Sequence, residues 1–271
     1  TSWTFYGAVG SAARNGLEYL TIYTGPTLVL IGWTLLLRKL VRISKQQRIT
    51  SIADFISARY GKSPVISALV TVIALIGVTP YIALQLKAVA ASFDALGAAG
   101  GWGPVTIQTW GLFGDTGFWV AVCMAVFVVL FGTSNLGADE RHPGIVAAIA
   151  FESIVKLLSL GAMAAFAVYG LHDGVMDLFA SSQWHSGVQR LTRFEEGFEA
   201  RWIVMTFLSA TAIICLPRQF QVTVVENTNE KALATASWLF PLYLFLVSLF
   251  VIPIAISGMT LLAPSANPDL F

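Results

Sequence analysis

The sequence predicts an all-α membrane protein that crosses the bilayer several times. Its 271 residues are 56% hydrophobic and only 11% charged, with a mean hydropathy of +0.74, whereas soluble domains carry about 25% charged residues. Apolar runs of roughly 20 residues, the length a helix needs to cross the hydrocarbon, recur between short polar connections. Basic residues crowd into alternate connections, the pattern that orients a multi-pass chain. Lys+Arg 16 against Asp+Glu 15 leaves a net charge of +1. No basic excess is available for nucleic acid, so the expected partner is the lipid bilayer and no nucleic-acid partner is expected. Cys123 and Cys215 sit inside apolar runs, where a thiol behaves as a small hydrophobe.

Thr1 to Val9 is apolar and aromatic and reads as the outer half of a span whose beginning is missing. With neither a methionine nor a basic leader at its start, the chain is expected to be an excerpt of a longer protein, forming one transmembrane domain over residues 1–271. Leu17 to Leu37 is a run of 21 residues with a single charge, Glu18, at its edge, and is expected to span. Arg38, Lys39, Arg42, Lys45, Arg48, Arg59 and Lys62 follow, seven of the 16 basic residues within 25 positions, which places this connection in the cytoplasm. Within it Ile49, Ile52, Phe55 and Ile56 recur at helical spacing behind Thr50 or Ser51 as a cap, predicting a short helix along the membrane surface. A solvated linker is the plainer alternative.

Pro64 ends that helix and Val65 to Val89 crosses outward, carrying Pro80, Tyr81, Gln85 and Lys87. Ala95 to Gly117 reads as an external loop, and Phe118 to Leu136 as the next span. Gly137 to Gly144 is a polar turn, with Pro143 suited to the first turn of a helix. Ile145 to Tyr169 follows, with Glu152 and Lys156 about 11 and 17 Å from its start at 1.5 Å per residue. Gly170 to Ala200 is expected outside, with a short helix over Val175 to Ala180. Arg201 to Glu226 returns inward, Leu233 to Leu262 is the last span with kinks at Pro241 and Pro253, and Ala263 to Phe271 is a polar tail. The total is about six full spans plus a truncated first one.

Leu216-Pro217-Arg218-Gln219-Phe220 breaks the Arg201 to Glu226 run at its middle. Proline removes a backbone donor and clashes with the preceding turn, so the helix must open or kink there. Hydrocarbon tolerates such an opening only where it faces protein or a water-filled cavity. A guanidinium beside it can hold a carboxylate in bidentate fashion; the plainer reading is an arginine reaching the interface. Glu152 and Lys156, four apart with the acid first, form an intramembrane ion pair that either locks helices together or lines a solute or ion path. Tyr81 and Gln85, four apart around Pro80, either line the same cavity or bond between helices. No Gly-x-Ser-x-Gly or His-Glu-x-x-His spacing occurs, and no catalytic residues are assigned.

Four stretches resemble a known family. Thr50-Ser51-Ile52-Ala53-Asp54-Phe55-Ile56-Ser57-Ala58-Arg59-Tyr60 is similar to the cytoplasmic signature of the sodium/solute symporters. Ser2-Trp3-Thr4-Phe5-Tyr6-Gly7, Glu140-Arg141-His142-Pro143-Gly144 leading into Phe151-Glu152-Ser153-Ile154-Val155-Lys156-Leu157, and Leu216-Pro217-Arg218-Gln219-Phe220 with Val224-Val225-Glu226-Asn227 resemble more closely the symporter-like N-terminal module of CbrA-like sensor histidine kinases. The resemblance implies a partial inverted-repeat, five-plus-five helix fold whose substrate site lies at the discontinuous first and sixth core helices.

On that resemblance Thr1 to Val9, with Trp3, belongs to core helix one and Arg201 to Glu226 is core helix six. Arg218 and Gln219 fall at substrate-contacting positions, and Tyr23 and Thr24 near a substrate-facing region of the second helix. The implied function is sodium-coupled symport of a small solute, an amino acid such as histidine, in a bacterial inner membrane, as the sensory input of a two-component kinase with its response regulator. Na+ is expected for the complete module, but the sodium site is incomplete in this chain and no ligand is assigned. A receptor that signals without transporting, a plain symporter without a kinase and a structural membrane anchor remain as alternatives.

Overall fold

The computed structural model describes residues 7–99, 115–132, 143–182, 186–189, 197–227 and 229–262, and every regular element among them is helical. Four of these helices are long and apolar enough to cross a membrane: 64–97, 147–169, 198–215 and 231–261. The described residues fall into two compact units, one drawn from 71–141 and the other from 4–70 and 142–271.

In the larger unit, α1 (Ala8–Asn15) leads through a 3-10 turn at Gly16–Leu20 into α2 (Thr21–Ile31). The run from Leu17 to Leu37 is therefore not the single regular helix that its composition predicts. Gly16 turns with φ 59°, and after Ile31 the backbone leaves the helix at Gly32 before resuming as α3 (Leu37–Gln47). Glycine makes the positive-φ turn at Gly16 cheap, and hydropathy alone does not register either departure. The basic stretch after Leu37, read as a connection, is itself this amphipathic helix. It buries Leu37, Val41 and Ser44 and leaves its cations exposed.

The short helix expected around Ile52 forms as α4 (Ile52–Ala58). Its cap is the Ser51 hydroxyl, which accepts from the Asp54 N–H at 3.1 Å, while the Asp54 carboxylate accepts from the Thr50 N–H at 3.3 Å. This reciprocal arrangement satisfies two amides that a helix start leaves orphaned. α4 does not simply lie on the membrane surface. Ile49 and Ile52 share a buried cluster with Val41, Phe220, Val224 and Leu233, and Phe55 packs beside it.

α5 (Pro64–Ala99) runs straight through Pro80 and extends four residues beyond the expected loop start at Ala95. Leu69, Val72, Ile73, Leu75 and Ile76 on it are more than half exposed, as suits a helix bathed in lipid. In the smaller unit, α6 (Thr116–Phe127) starts at an Asp115 cap and widens into a π-helical turn over Val128–Gly132. The Thr116 hydroxyl donates to Asp94 at 3.0 Å.

The remaining helices build the larger unit. α7 (Pro143–Tyr169) opens on Pro143 as expected. α8 (Val175–Ser182) and α9 (Ser186–Gln189) follow, then α10 (Phe198–Cys215), α11 (Pro217–Phe220) with a π-helical turn at Gln221–Val225, and α12 (Lys231–Leu261). α12 is continuous across Pro241 and Pro253 and forms the hub, packing on α1, α2 and α7. Val247, Val251 and Ala255 on it are fully covered. The Tyr19 hydroxyl donates to the Ser248 carbonyl at 2.9 Å, fixing the start of α2 against this hub.

Candidate functional site

The break predicted at Pro217 forms one residue earlier in the backbone. α10 ends at Cys215, Leu216 adopts φ −65° and ψ 129°, and α11 restarts with Pro217 at its first position. The residue before a proline is pushed out of the helical region by the ring, so Leu216 takes the extended conformation and Pro217 begins the next segment without an N–H to satisfy. Beyond the break the chain winds as a π-turn, and Phe220 and Val224 are buried. Arg218 is exposed and Gln219 half-buried at this point.

The registers of the neighbouring helices locate the break. Glu18 meets Arg201, the Ser209 hydroxyl donates to the Thr21 carbonyl at 2.7 Å, and Gly25 abuts Thr206, Ser209 and Ala210. Residue numbers rise together, so α2 and α10 run in the same direction. Carrying this register on at 1.5 Å per residue brings the end of α2 at Ile31 level with the break. On the other side Tyr243 lies against Ser153, Gly161 faces the Phe250 ring, and Val168 packs on Ile256. α7 and α12 therefore also run parallel to each other.

Glu152 and Lys156 form the expected ion pair on α7. Lys156 is largely covered, with 19% of its side chain accessible, whereas Glu152 is half exposed. Arg218 lies within coulombic range of Glu152, and Lys156 within coulombic range of Tyr243. Glu152, Lys156, Ser153 and Tyr243 thus form a polar group between α7 and α12, and Arg218 at the break lies within coulombic range of its carboxylate. Ser153 and Tyr243 were not legible as site residues, because each belongs to an ordinary apolar run until the parallel register of α7 and α12 brings them together.

Tyr23 and Thr24 are not beside Arg218. Tyr23 is buried with its ring edge-on to Tyr19 at 6.1 Å, and the Thr24 hydroxyl donates to the Leu20 carbonyl at 2.8 Å. Tyr81 and Gln85 fall in the smaller unit, half-buried on α5. Trp3 lies outside the described residues.

A second polar place was missed from the sequence. A cavity of about 250 Å³ is lined by Ser11, Asn15, Glu18, Tyr19, Arg201 and Met205, together with Thr21 and Ile22. Its buried carboxylate, Glu18, is held by Arg201. The only signal for it was an acid at the edge of an apolar run, with its arginine nearly the whole chain away.

Taken together, these features are those of a polytopic helical membrane protein in which one apolar helix, Phe198–Cys215, ends at a proline break. The chain is similar to the uncharacterized symporter YhjB of Bacillus subtilis, 27% identical over 258 residues. That stretch takes in 93% of this chain and 47% of that protein, so the chain spans about half the length of the curated relative it matches. No protein-family model matches the chain, and no solved structure does.

Proposed function

We propose that the chain is the membrane module of a solute symporter. On this reading it moves a small solute, an amino acid such as histidine, together with sodium across a bacterial inner membrane, and it serves as the sensory input of a two-component histidine kinase. The observation that carries the reading is the break in the helix at Leu216–Pro217 with Arg218 beside it, within coulombic range of the Glu152 that pairs with Lys156. Likeness to a protein named a symporter supports transport as the activity. An apolar helix that ends at a proline break and resumes beyond it also suits the discontinuous sixth helix of a five-plus-five fold.

In this reading the Arg218 guanidinium takes the solute carboxylate in a two-pronged hydrogen bond, Gln219 supplies a neutral polar contact, and Glu152 balances the arginine while the site is empty. The test is uptake of labelled histidine by reconstituted protein with and without a sodium gradient. Uptake that rises with sodium is expected, and a sodium-independent background would overturn the coupling. Arg218→Gln should weaken binding about 10- to 100-fold, the range of a lost charge-assisted hydrogen bond, and unchanged affinity would remove Arg218 from the site. Kinase output that follows histidine while flux stays at zero would make the chain a receptor.

A further inference from the structure

The segment from α3 to the start of α5 is a shelf with two different sides. Its inner side is anchored: Leu37, Val41, Ile49 and Ile52 are buried, the last three in one cluster with Phe220 and Val224. Its outer side is cationic. Between Gly32 and Leu69 the only acid is Asp54, and its carboxylate is used in the cap of α4. Glu230 reaches the shelf from α12 and engages Arg42 at 3.0 Å and Arg38 at 3.4 Å. Among the described residues no carboxylate forms an ion pair with Lys39, Arg48, Arg59 or Lys62, and all four are exposed.

Two further observations say what these cations face. The first is chain continuity. Lys62 lies two residues before Pro64, where α5 begins, and Val65 and Leu69 in its first turns are 74% and 58% exposed. Hydrocarbon begins at such residues, so Arg59, Tyr60 and Lys62 stand at headgroup level. Tyr60, 63% exposed, has the amphipathic ring that favours this zone, and Leu35 and Leu36 are exposed at the foot of α3. The second is the backbone. Arg48 and Lys62 have φ of 53° and 56°, a left-handed conformation that favours glycine or asparagine. Arg48 is the residue that ends α3, and both cations are thereby held on tight turns at the outer side of the shelf.

We propose that this shelf binds the headgroups of anionic phospholipids, with Lys39, Arg48, Arg59 and Lys62 meeting the phosphate and Leu35, Leu36 and Tyr60 meeting the upper acyl chains. Anchorage on the inner half of the broken helix lets lipid bound there hold the segment that carries Phe220. The surface is independent of the solute and of the coupling ion.

Spin-labelled phosphatidylglycerol and phosphatidylcholine, compared in bilayers containing the chain, test it. The wild type should immobilise phosphatidylglycerol several-fold more than phosphatidylcholine, and each neutralised cation should lower the relative association about 5-fold or less, the limit set by about 1 kcal/mol per charge near the surface. K39Q/R48Q/R59Q/K62Q should lose the preference, while K39R/K62R, which keeps the charge, and K87Q, elsewhere on α5, should retain it. Equal selectivity in wild type and the quadruple variant, or none in the wild type, would overturn the proposal. Displacement of the labelled lipid by millimolar glycerol phosphate would also overturn it, by making a soluble phosphate ester the ligand.

Discussion

Arg201 grips Glu18 with two hydrogen bonds, its Nε donating to one carboxylate oxygen at 2.9 Å and an Nη to the other at 2.5 Å, across 183 positions of sequence. Glu18 is 9% accessible, whereas the arginine side chain is 55% exposed. The pair ties the entry of α2 to the first turns of α10 at the rim of the cavity.

The two ends of this pair should therefore respond differently to neutralisation. Arg201→Gln leaves a buried carboxylate without its cation and should cost about 1–3 kcal/mol, below the value for a fully buried pair because the arginine is half in solvent. Glu18→Gln removes the buried charge itself and should cost less. Thermal unfolding of both variants in lipid checks the order; R201Q no more damaging than E18Q would show that the pair contributes nothing.

Gly25 is the tightest contact between α2 and α10. A β-carbon there would meet the Ser209 hydroxyl at 2.0 Å, the Ala210 nitrogen at 2.5 Å and the Thr206 carbonyl at 2.6 Å. Two of the three are backbone atoms that cannot turn aside, so Gly25→Ala must separate the helices, with a cost of about 3 kcal/mol for overpacking. Ser209→Ala in the same chain relieves one clash and should restore little. Full recovery of stability in the double variant would place the strain in the serine alone.

The Phe55 and Phe220 rings lie 5.7 Å apart, fastening α4 to the inner half of the broken helix. Phe220 is 1% accessible, so Phe220→Ala should cost about 3–5 kcal/mol. Phe55→Ala, at a half-buried position, should cost less. A double-mutant cycle should return a coupling of about 0.5–1.5 kcal/mol, as expected for a touching aromatic pair; additive effects would show that the rings do not communicate.

Glu230 carries a pH dependence of known sign. Hydrogen bonding from Arg42 and then Arg38 holds its carboxyl below the ordinary 4.5, against a smaller opposing effect of desolvation. A depressed folded value means the contribution is complete above the unfolded value and is lost as pH falls through the folded one. Unfolding followed from pH 6 to about 3 should therefore show a loss at the acid end that Glu230→Gln lacks. Identical acid limbs in the two proteins would remove Glu230 from the linkage. High salt should shrink the difference, because the pair is open to solvent.

Several features were readable one segment at a time. The long apolar helices, the cap at Ser51, the start at Pro143, the break before Pro217 and the Glu152–Lys156 pair each depend on residues within a few positions of one another. The departure at Leu17 to Leu37 has a local cause. Leu17 to Leu37 is apolar enough to be one helix, but the chain turns at Gly16 with φ 59° and leaves the helix after Ile31, and hydropathy cannot weigh that choice. Tyr23 and Thr24 were named from the resemblance as lying near a substrate-facing region of the second helix; their surroundings, a ring contact to Tyr19 and a hydrogen bond to the Leu20 carbonyl, came only with the fold.

By itself, then, the sequence determined that this is a helical membrane protein, which runs are apolar enough to span, and where one helix must open, because composition, length and proline chemistry act locally. Only the tertiary structure decided which charges meet. Glu18 with Arg201, Glu230 with Arg42, and Arg218 within range of Glu152 join residues far apart in the chain. Their pairing depends on the parallel registers of α2 on α10 and of α7 on α12, and those registers are set by small contacts such as Gly25 on Ser209 and Gly161 on Phe250.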